Sequence, residues 1–253
     1  QELLFDGSWN PGIERFRSRH AFRGNSDASH RLTPSLQRIG GDYALLERHL
    51  LRNFRKYAHK TMIEGGSVWH WLSVAQHHGL PTRLLDWTYS PLVALHFATH
   101  DTGQFDRDGC VWKVNFAKVH EYLPNNLKMA LREEGGEVFT VSILDAHVKS
   151  LAELDGMRSH LANYVIFFEP PSIDDRIINQ FAYFSLASSP NLVLDDWLRA
   201  LPEPDLWSRI IIPAELKWEV RDKLDQANIS ERVLFPGLDG ISKWLKRHYS
   251  KRT

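Results

Sequence analysis

The chain lacks most of the features that sort a protein at a glance. It holds one cysteine, Cys110, which excludes an internal disulfide and a cysteine-built zinc cluster. Lysine plus arginine equal aspartate plus glutamate at 31 each, so the formal net charge is zero and the global charge points to no polyanionic partner. No apolar run approaches the roughly 20 residues of a membrane span, so no membrane partner is expected. The first residues show no basic-then-apolar leader pattern, although a chain starting at Gln1 says little about a leader. There is no repeat, no low-complexity tract and no long Gly/Ser/Pro linker. A serine elbow, a P-loop and a dinucleotide-binding glycine pattern are also missing, which argues against hydrolase, kinase and dehydrogenase chemistry. With so little cysteine, a cytoplasmic protein is the plain expectation.

What is present suits a folded domain. Apolar residues make up 43% and charged residues 25%, and nine tryptophans with thirteen phenylalanines can fill a sizeable core. Turn signals are scattered at short intervals, as Gly-Gly at 40–41, 65–66 and 135–136 and as Glu-Pro-Pro at 169–171. One domain over residues 1–253 is therefore favoured over two.

"RHAFRGNS" (19–26) reads as a strand ending at Gly24. From Asp42 to Lys60, Leu46, Leu50, Phe54 and Tyr57 recur at helical spacing, and Arg48, Arg52, Arg55, Lys56 and His59 mark the opposite face. "SVWHWLSVAQHH" (67–78) predicts a second helix, stopped by Gly79. "TRLLDW" predicts a strand, and Ser90-Pro91 opens a helix to about His100, because serine accepts a first-turn N–H and proline lacks only a donor that would have no partner. "GCVWKVNF", "EVFTVSIL", "NYVIFFEP" and "FAYFSLAS" are strand-like. "RIIIPAELKWEVRDKLDQANI" reads as strand then helix. "ERVLFPGLDGISKWLKRHY" reads as a strand, a turn and a terminal helix burying Ile241, Trp244 and Leu245. The expected class is α+β: a single domain with a helical N-terminal part packed on a mixed, mostly antiparallel sheet.

Several polar residues sit in these apolar segments. Arg23 is either a structural arginine paired to a core carboxylate or a guanidinium fork for phosphate or a ribose hydroxyl. Gly24 beside it allows a ligand or a backbone to approach closely. Asp86, Thr88 and Ser90 alternate, so an extended backbone projects all three to one face, and Ser90 caps a helix whose amides can receive an anion. The same three residues also suit a capping network that only organises the corner. His77 and His78 end a helix, where imidazolium favours the dipole. His96 and His100 lie at i, i+4, but "HFATH" lacks the glutamate of a zinc-protease motif, and no metal is expected. The basic face at 48–60 and the tail "KWLKRHYSKRT" fit either nucleic acid or plain solvation.

The motifs "FRGNS", "LTPSLQR", "AQHHGLPTRLLDWTYSPLVALHFA", "DDRIINQFAYFSL" and "ERVLFPGLDGISKWLKRHY" together resemble the FRG-domain family, named after Phe-Arg-Gly, with a core at about 20–248. The order of these motifs is similar to that of ADP-ribosyltransferases. That resemblance implies an ADP-ribosyltransferase-like fold with NAD, or a related nucleotide, as substrate and a nucleic acid or protein as acceptor. It also implies a setting such as toxin action or phage conflict. By the same resemblance Arg23 holds the NAD phosphate or ribose, Thr88 and Ser90 occupy the hydroxyl motif, and Gly24, Thr82 and Arg83 join the ligand-binding set. Gln180 begins the third motif, and Asp86 orients His78 or Arg83, so that Arg23, His78, Asp86 and Gln180 form the catalytic set. One departure is plain: Ala182 stands where such enzymes carry a glutamate, leaving Glu169 or Asp86 to substitute. The rival readings are a non-enzymatic nucleotide-binding module and a nucleic-acid-binding or cleaving protein. The ligand reading requires that Arg23, Asp86, Thr88, Ser90 and Gln180 converge on one cleft, with His78 nearer the corner than His77.

Overall fold

A computed structural model describes residue 5 and residues 7–58 and 66–251. His59, Lys60, Gly65, Arg252 and Thr253, which belong to features of the sequence reading, lie outside the described residues. In chain order the strands are β1 (Trp9–Asn10), β2 (Arg15–Phe16), β3 (His20–Asn25), β4 (Leu84–Thr88), β5 (Gly109–Asn115), β6 (Phe139–Thr140), β7 (Val165–Glu169), β8 (Ala182–Ala187) and β9 (Trp207–Ile212). The helices are α1 (Tyr43–Tyr57), α2 (Val68–His77), α3 (Pro91–Ala98), α4 (Phe116–His120), α5 (Asn125–Glu133), α6 (Val141–His147) and α7 (Leu151–Gly156). They continue as α8 (Asp175–Asn179), α9 (Leu194–Arg199), α10 (Lys217–Gln226), α11 (Glu231–Leu234) and α12 (Leu238–His248).

Seven strands form one open mixed sheet in the order β6-β7-β8-β4-β3-β5-β9, beside a separate β1–β2 pair. Only β6 and β7 run parallel; the other pairs are antiparallel. Helices are spread along the whole chain, so the expected helical N-terminal part is replaced by a sheet covered on both faces by helices from throughout. Consecutive aromatics of β7 and β8 go to opposite faces, as strand alternation requires. Phe168 and Phe184 join the core that includes Trp69 and Tyr164, whereas Phe167 and Tyr183 join the one that includes Trp112 and Leu198.

Two strand readings fail. "EVFTVSIL" yields only β6, because the Thr140 hydroxyl accepts from Ile143 N and starts α6. "ERVL" is helix α11, turned inward by buried Glu231. The terminal helix α12 buries Gly240 and Arg247, whereas Ile241 and Leu245 stay about two-fifths exposed. A side chain at 240 would strike the Phe235 carbonyl, so the backbone contact made there by glycine sets which face of α12 turns inward.

The join between β3 and β4 positions everything that follows. β4 pairs with β8 along its length and β3 with β5 along its length, but β3 meets β4 only at Phe22 and Thr88. Beyond that point the two halves of the sheet part. On one side α3 crosses so closely that a Cβ on Gly24 would lie 1.9 Å from Ala94 O, and one on Gly109 would lie 2.5 Å from Ala98 O. The glycine of Phe-Arg-Gly is therefore a helix-packing residue. Gly24→Ala is expected to cost at least about 1–3 kcal/mol, since backbone cannot yield as a side chain can. Equilibrium urea unfolding checks this, and an unchanged midpoint would refute the packing role.

Candidate functional site

The parting of β3 and β4 opens a cleft of about 670 Å³, within the range of about 300–1,000 Å³ typical of small-molecule sites. Arg23 lies at the join. Its Nη1 donates to the Asp86 carbonyl oxygen at 2.5 Å, standing in for a ladder bond that the diverging strands do not make. The Asp86 carboxylate is 3.9 Å away, and the Arg23 Nε is buried with no hydrogen-bond partner. Burial draws the Arg23 pKa below its ordinary value, against the pull of Asp86, so this cation is only partly compensated by its surroundings.

Asp86 faces the cleft, its carboxylate mostly exposed, and takes two bonds from Gln76 Nε2 at 3.1 and 3.0 Å. The orientation of that amide follows from the groups behind it. Leu84 N–H donates to Thr82 Oγ1, whose own proton goes to Gln76 Oε1 at 2.6 Å, leaving the NH₂ end for Asp86. Thr88 borders the same cleft and receives Ser90 N–H on its hydroxyl.

The opposite wall is α8. Asp174 caps it, accepting from Arg176 N and Ile177 N, while its other oxygen lies 2.7 Å from His77 Nε2. Gln180, just past α8, borders the cleft and donates from Nε2 to Leu234 O at 2.9 Å. Asn179 makes the matching bond to Val233 O. The cleft wall is thereby tied to α11. At the third side, His100 Nδ1 bonds Phe97 O at 2.8 Å.

Of the residues named from sequence, Arg23, Gly24, His78, Asp86, Thr88 and Gln180 border this one cleft. Three do not. Arg83 is buried, with Nε 2.7 Å and Nη2 2.6 Å from Glu47 and Nη1 2.6 Å from Asp155; it is the structural arginine of the fold. Thr82 is buried behind Gln76 and acts through it. Ser90 does what its position predicted, accepting Val93 N as a helix cap, but it does not border the cleft. Glu169, the proposed substitute carboxylate, also lies outside the lining. Asp86 is bonded by Gln76, not by His78 or Arg83. Both histidines of the pair border the cleft, yet the bonded one is the largely buried His77, while His78 is exposed. His96 is buried with Nδ1 accepting from Arg221 Nη1 at 2.7 Å, and its ring stacks on that of His100 at 6.4 Å. Gln76 and Arg176 were missed; Gln76 stands in "AQHH", one residue before the pair that drew attention.

Geometry thus defines a polar cleft at a split in a mixed sheet, floored by a partly compensated arginine and a carboxylate. Residues 18–107 match the family model of the FRG domain, a stretch that holds "FRGNS", "LTPSLQR" and "AQHHGLPTRLLDWTYSPLVALHFA" but neither of the two later motifs. The match takes in Arg23, Gln76, Asp86 and Thr88 and stops before Gln180. Comparison with curated proteins and with solved structures gives no match. No described helix is long and apolar enough to cross a membrane.

Proposed function

We propose that the cleft binds NAD or a related nucleotide and transfers its ADP-ribose to an acceptor. The observation that carries this reading is Arg23: a guanidinium at the cleft floor, with a buried Nε that lacks an acceptor and a carboxylate no nearer than 3.9 Å. The side chain keeps 23% of its surface exposed, so a phosphate or ribose oxygen in the cleft can meet the accessible part of the fork and compensate the charge. In the transfer, the bond from ribose C1′ to nicotinamide breaks and the electron pair leaves with nicotinamide. The acceptor then bonds to C1′ and gives up its proton. Asp86, held still by Gln76, is the carboxylate placed to offset the positive charge that develops on the sugar. Gln180 would border the ribose.

A second reading, binding without turnover, is favoured by two observations. Ala182 stands in place of a glutamate, and the Gln180 amide nitrogen is already committed to Leu234 O. Calorimetry with NAD alongside a nicotinamide-release assay separates the two. Arg23→Ala is expected to lower NAD affinity at least tenfold and abolish any release, with melting temperature shifted by only a few degrees, since it removes a single protein hydrogen bond. Arg23→Lys should fail too if the planar fork matters. Unchanged NAD binding in Arg23→Ala would end the nucleotide reading.

A further inference from the structure

Away from the cleft, a groove of about 330 Å³ runs between α1 and α7. Its apolar lining is Leu51, Val68, Leu151 and Ala152, of which the two leucines are buried, and α1 adds Arg48, Arg52 and Arg55. These arginines stand at i, i+4 and i+7, so they form one stripe with steps of about 6 and 4.5 Å along the helix axis. Their charge is barely compensated. Arg48 lies 3.3 Å from Asp155, a carboxylate already held at 2.6 Å by Arg83. Among the described residues Arg52 has no hydrogen bond or ion pair, and Arg55 has only the ring of Trp71, 5.4 Å from its guanidinium carbon. The one acidic residue of α1, Glu47, is buried against Arg83, and exposed Lys56 extends the stripe. A chain of zero net charge has therefore gathered a cationic stripe along α1 beside an apolar slot.

We propose that this groove docks a single-stranded nucleic acid, with one base in the slot and neighbouring phosphates on Arg52, Arg55 and Lys56. The dimensions favour this partner. An amphipathic peptide helix needs a groove long enough for anchors over two turns, whereas this slot is at the small end of ligand sites and offers four apolar lining residues. A membrane surface would need large protruding apolar groups, and here Leu51 and Leu151 are buried, Val68 is half-buried and only the small Ala152 is exposed. A flat base between phosphates fits both features, because it can lie against the aliphatic wall or on an arginine guanidinium plane, and guanidinium forks match phosphate. The proposal stands whether or not the cleft turns over NAD.

The test is fluorescence anisotropy of a short labelled single-stranded RNA against salt. With Arg52, Arg55 and Lys56 each neutralising a phosphate, log affinity should fall with log salt at a slope of about −2, roughly 20-fold between about 50 and 200 mM. The exposed pair change Arg52→Glu with Arg55→Glu should lower the melting temperature by only a few degrees, through loss of the Arg55–Trp71 contact, while weakening binding at least tenfold and cutting the slope to about −0.7. Arg23→Ala should bind RNA as the wild type does. The proposal is overturned if the wild type shows no salt-dependent binding or the double variant binds normally. It also fails if Arg23→Ala loses RNA, if a duplex of the same sequence binds as tightly, or if polyphosphate or polyglutamate competes as well as RNA.

Discussion

Glu231→Gln is expected to destabilise the protein by about 3–5 kcal/mol and lower its melting temperature by roughly 10 °C. Glu231 is the carboxylate on which two buried arginines depend. Its Oε1 accepts from Arg221 Nη2 and Arg247 Nε, both at 2.8 Å, and its Oε2 accepts from Arg247 Nη2 at 2.8 Å. Arg247 keeps Asp225 as a second partner at 2.7 Å, but Arg221 is left with His96 alone. Since arginine can only donate, His96 Nδ1 must accept, and the imidazole is neutral with its proton on Nε2. Burial, then the charge of Arg221, holds the His96 pKa well below its ordinary value. Burial alone would raise the pKa of Glu231, but the Arg247 hydrogen bond and the Arg221 charge outweigh it and bring the value to about 2.

Both shifts act in the same direction with pH. Each group binds its proton less readily folded than unfolded, so each contributes stability that is present above its unfolded pKa and lost as pH falls. For His96 the loss begins below about 6.5, and for Glu231 it runs from about 4.3 down towards 2. Thermal melts at stepped pH should therefore show two stages of acid loss in the wild type. Glu231→Gln should keep the first and flatten the second. The effect should also reach the cleft, because the α11 carbonyls of Val233 and Leu234 hold Asn179 and Gln180. Faster amide exchange over α8 is the expected signature. A variant that melts like the wild type would show that Arg221 and Arg247 need no such partner.

The elements were largely legible where local chemistry decides them. Ser67, Asp42 and Ser90 each cap the helix that the sequence placed after them, and β3, β4, β5, β7 and β8 fall where alternation and β-branched content put them. The misread segments were those where composition and capping disagree. In "EVFTVSIL" the residues favour a strand, but one hydroxyl at Thr140 starts a helix. The site was half legible for a related reason. Alternation placed Asp86 and Thr88 together correctly, yet Ser90 is turned out of that set by its own role as a cap. Nor could sequence separate two arginines in apolar surroundings. The acid that claims Arg83 is 36 residues away on α1, and the Asp86 carboxylate near Arg23 is 63 residues away and stops short of close contact.

That distinction predicts opposite behaviour for the two arginines. Arg83→Ala is expected to cost about 3–5 kcal/mol, because it strands a buried Glu47 carboxylate whose one ion-pair partner among the described residues is removed. Glu47 Oε2 lies 2.6 Å from Arg83 Nη2 and accepts from its Nε at 2.7 Å, and no solvent reaches the pair to replace those contacts. The penalty belongs to the broken pair, not to the absence of charge, so removing both partners should recover most of it. Glu47→Leu with Arg83→Met keeps the volume and is expected to return to within about 1–3 kcal/mol of the wild type. Full recovery is not expected, since Glu47 Oε1 also accepts the Arg83 backbone N–H, and an unpaired buried donor carries a cost of about that size. NAD binding by the double variant should match the wild type, because neither residue borders the cleft. Guanidinium chloride unfolding and calorimetry on the single and double variants read both quantities. If Arg83→Ala keeps its stability and loses NAD instead, Arg83 is a ligand residue after all, and the role given to Arg23 at the cleft floor would have to be shared with it.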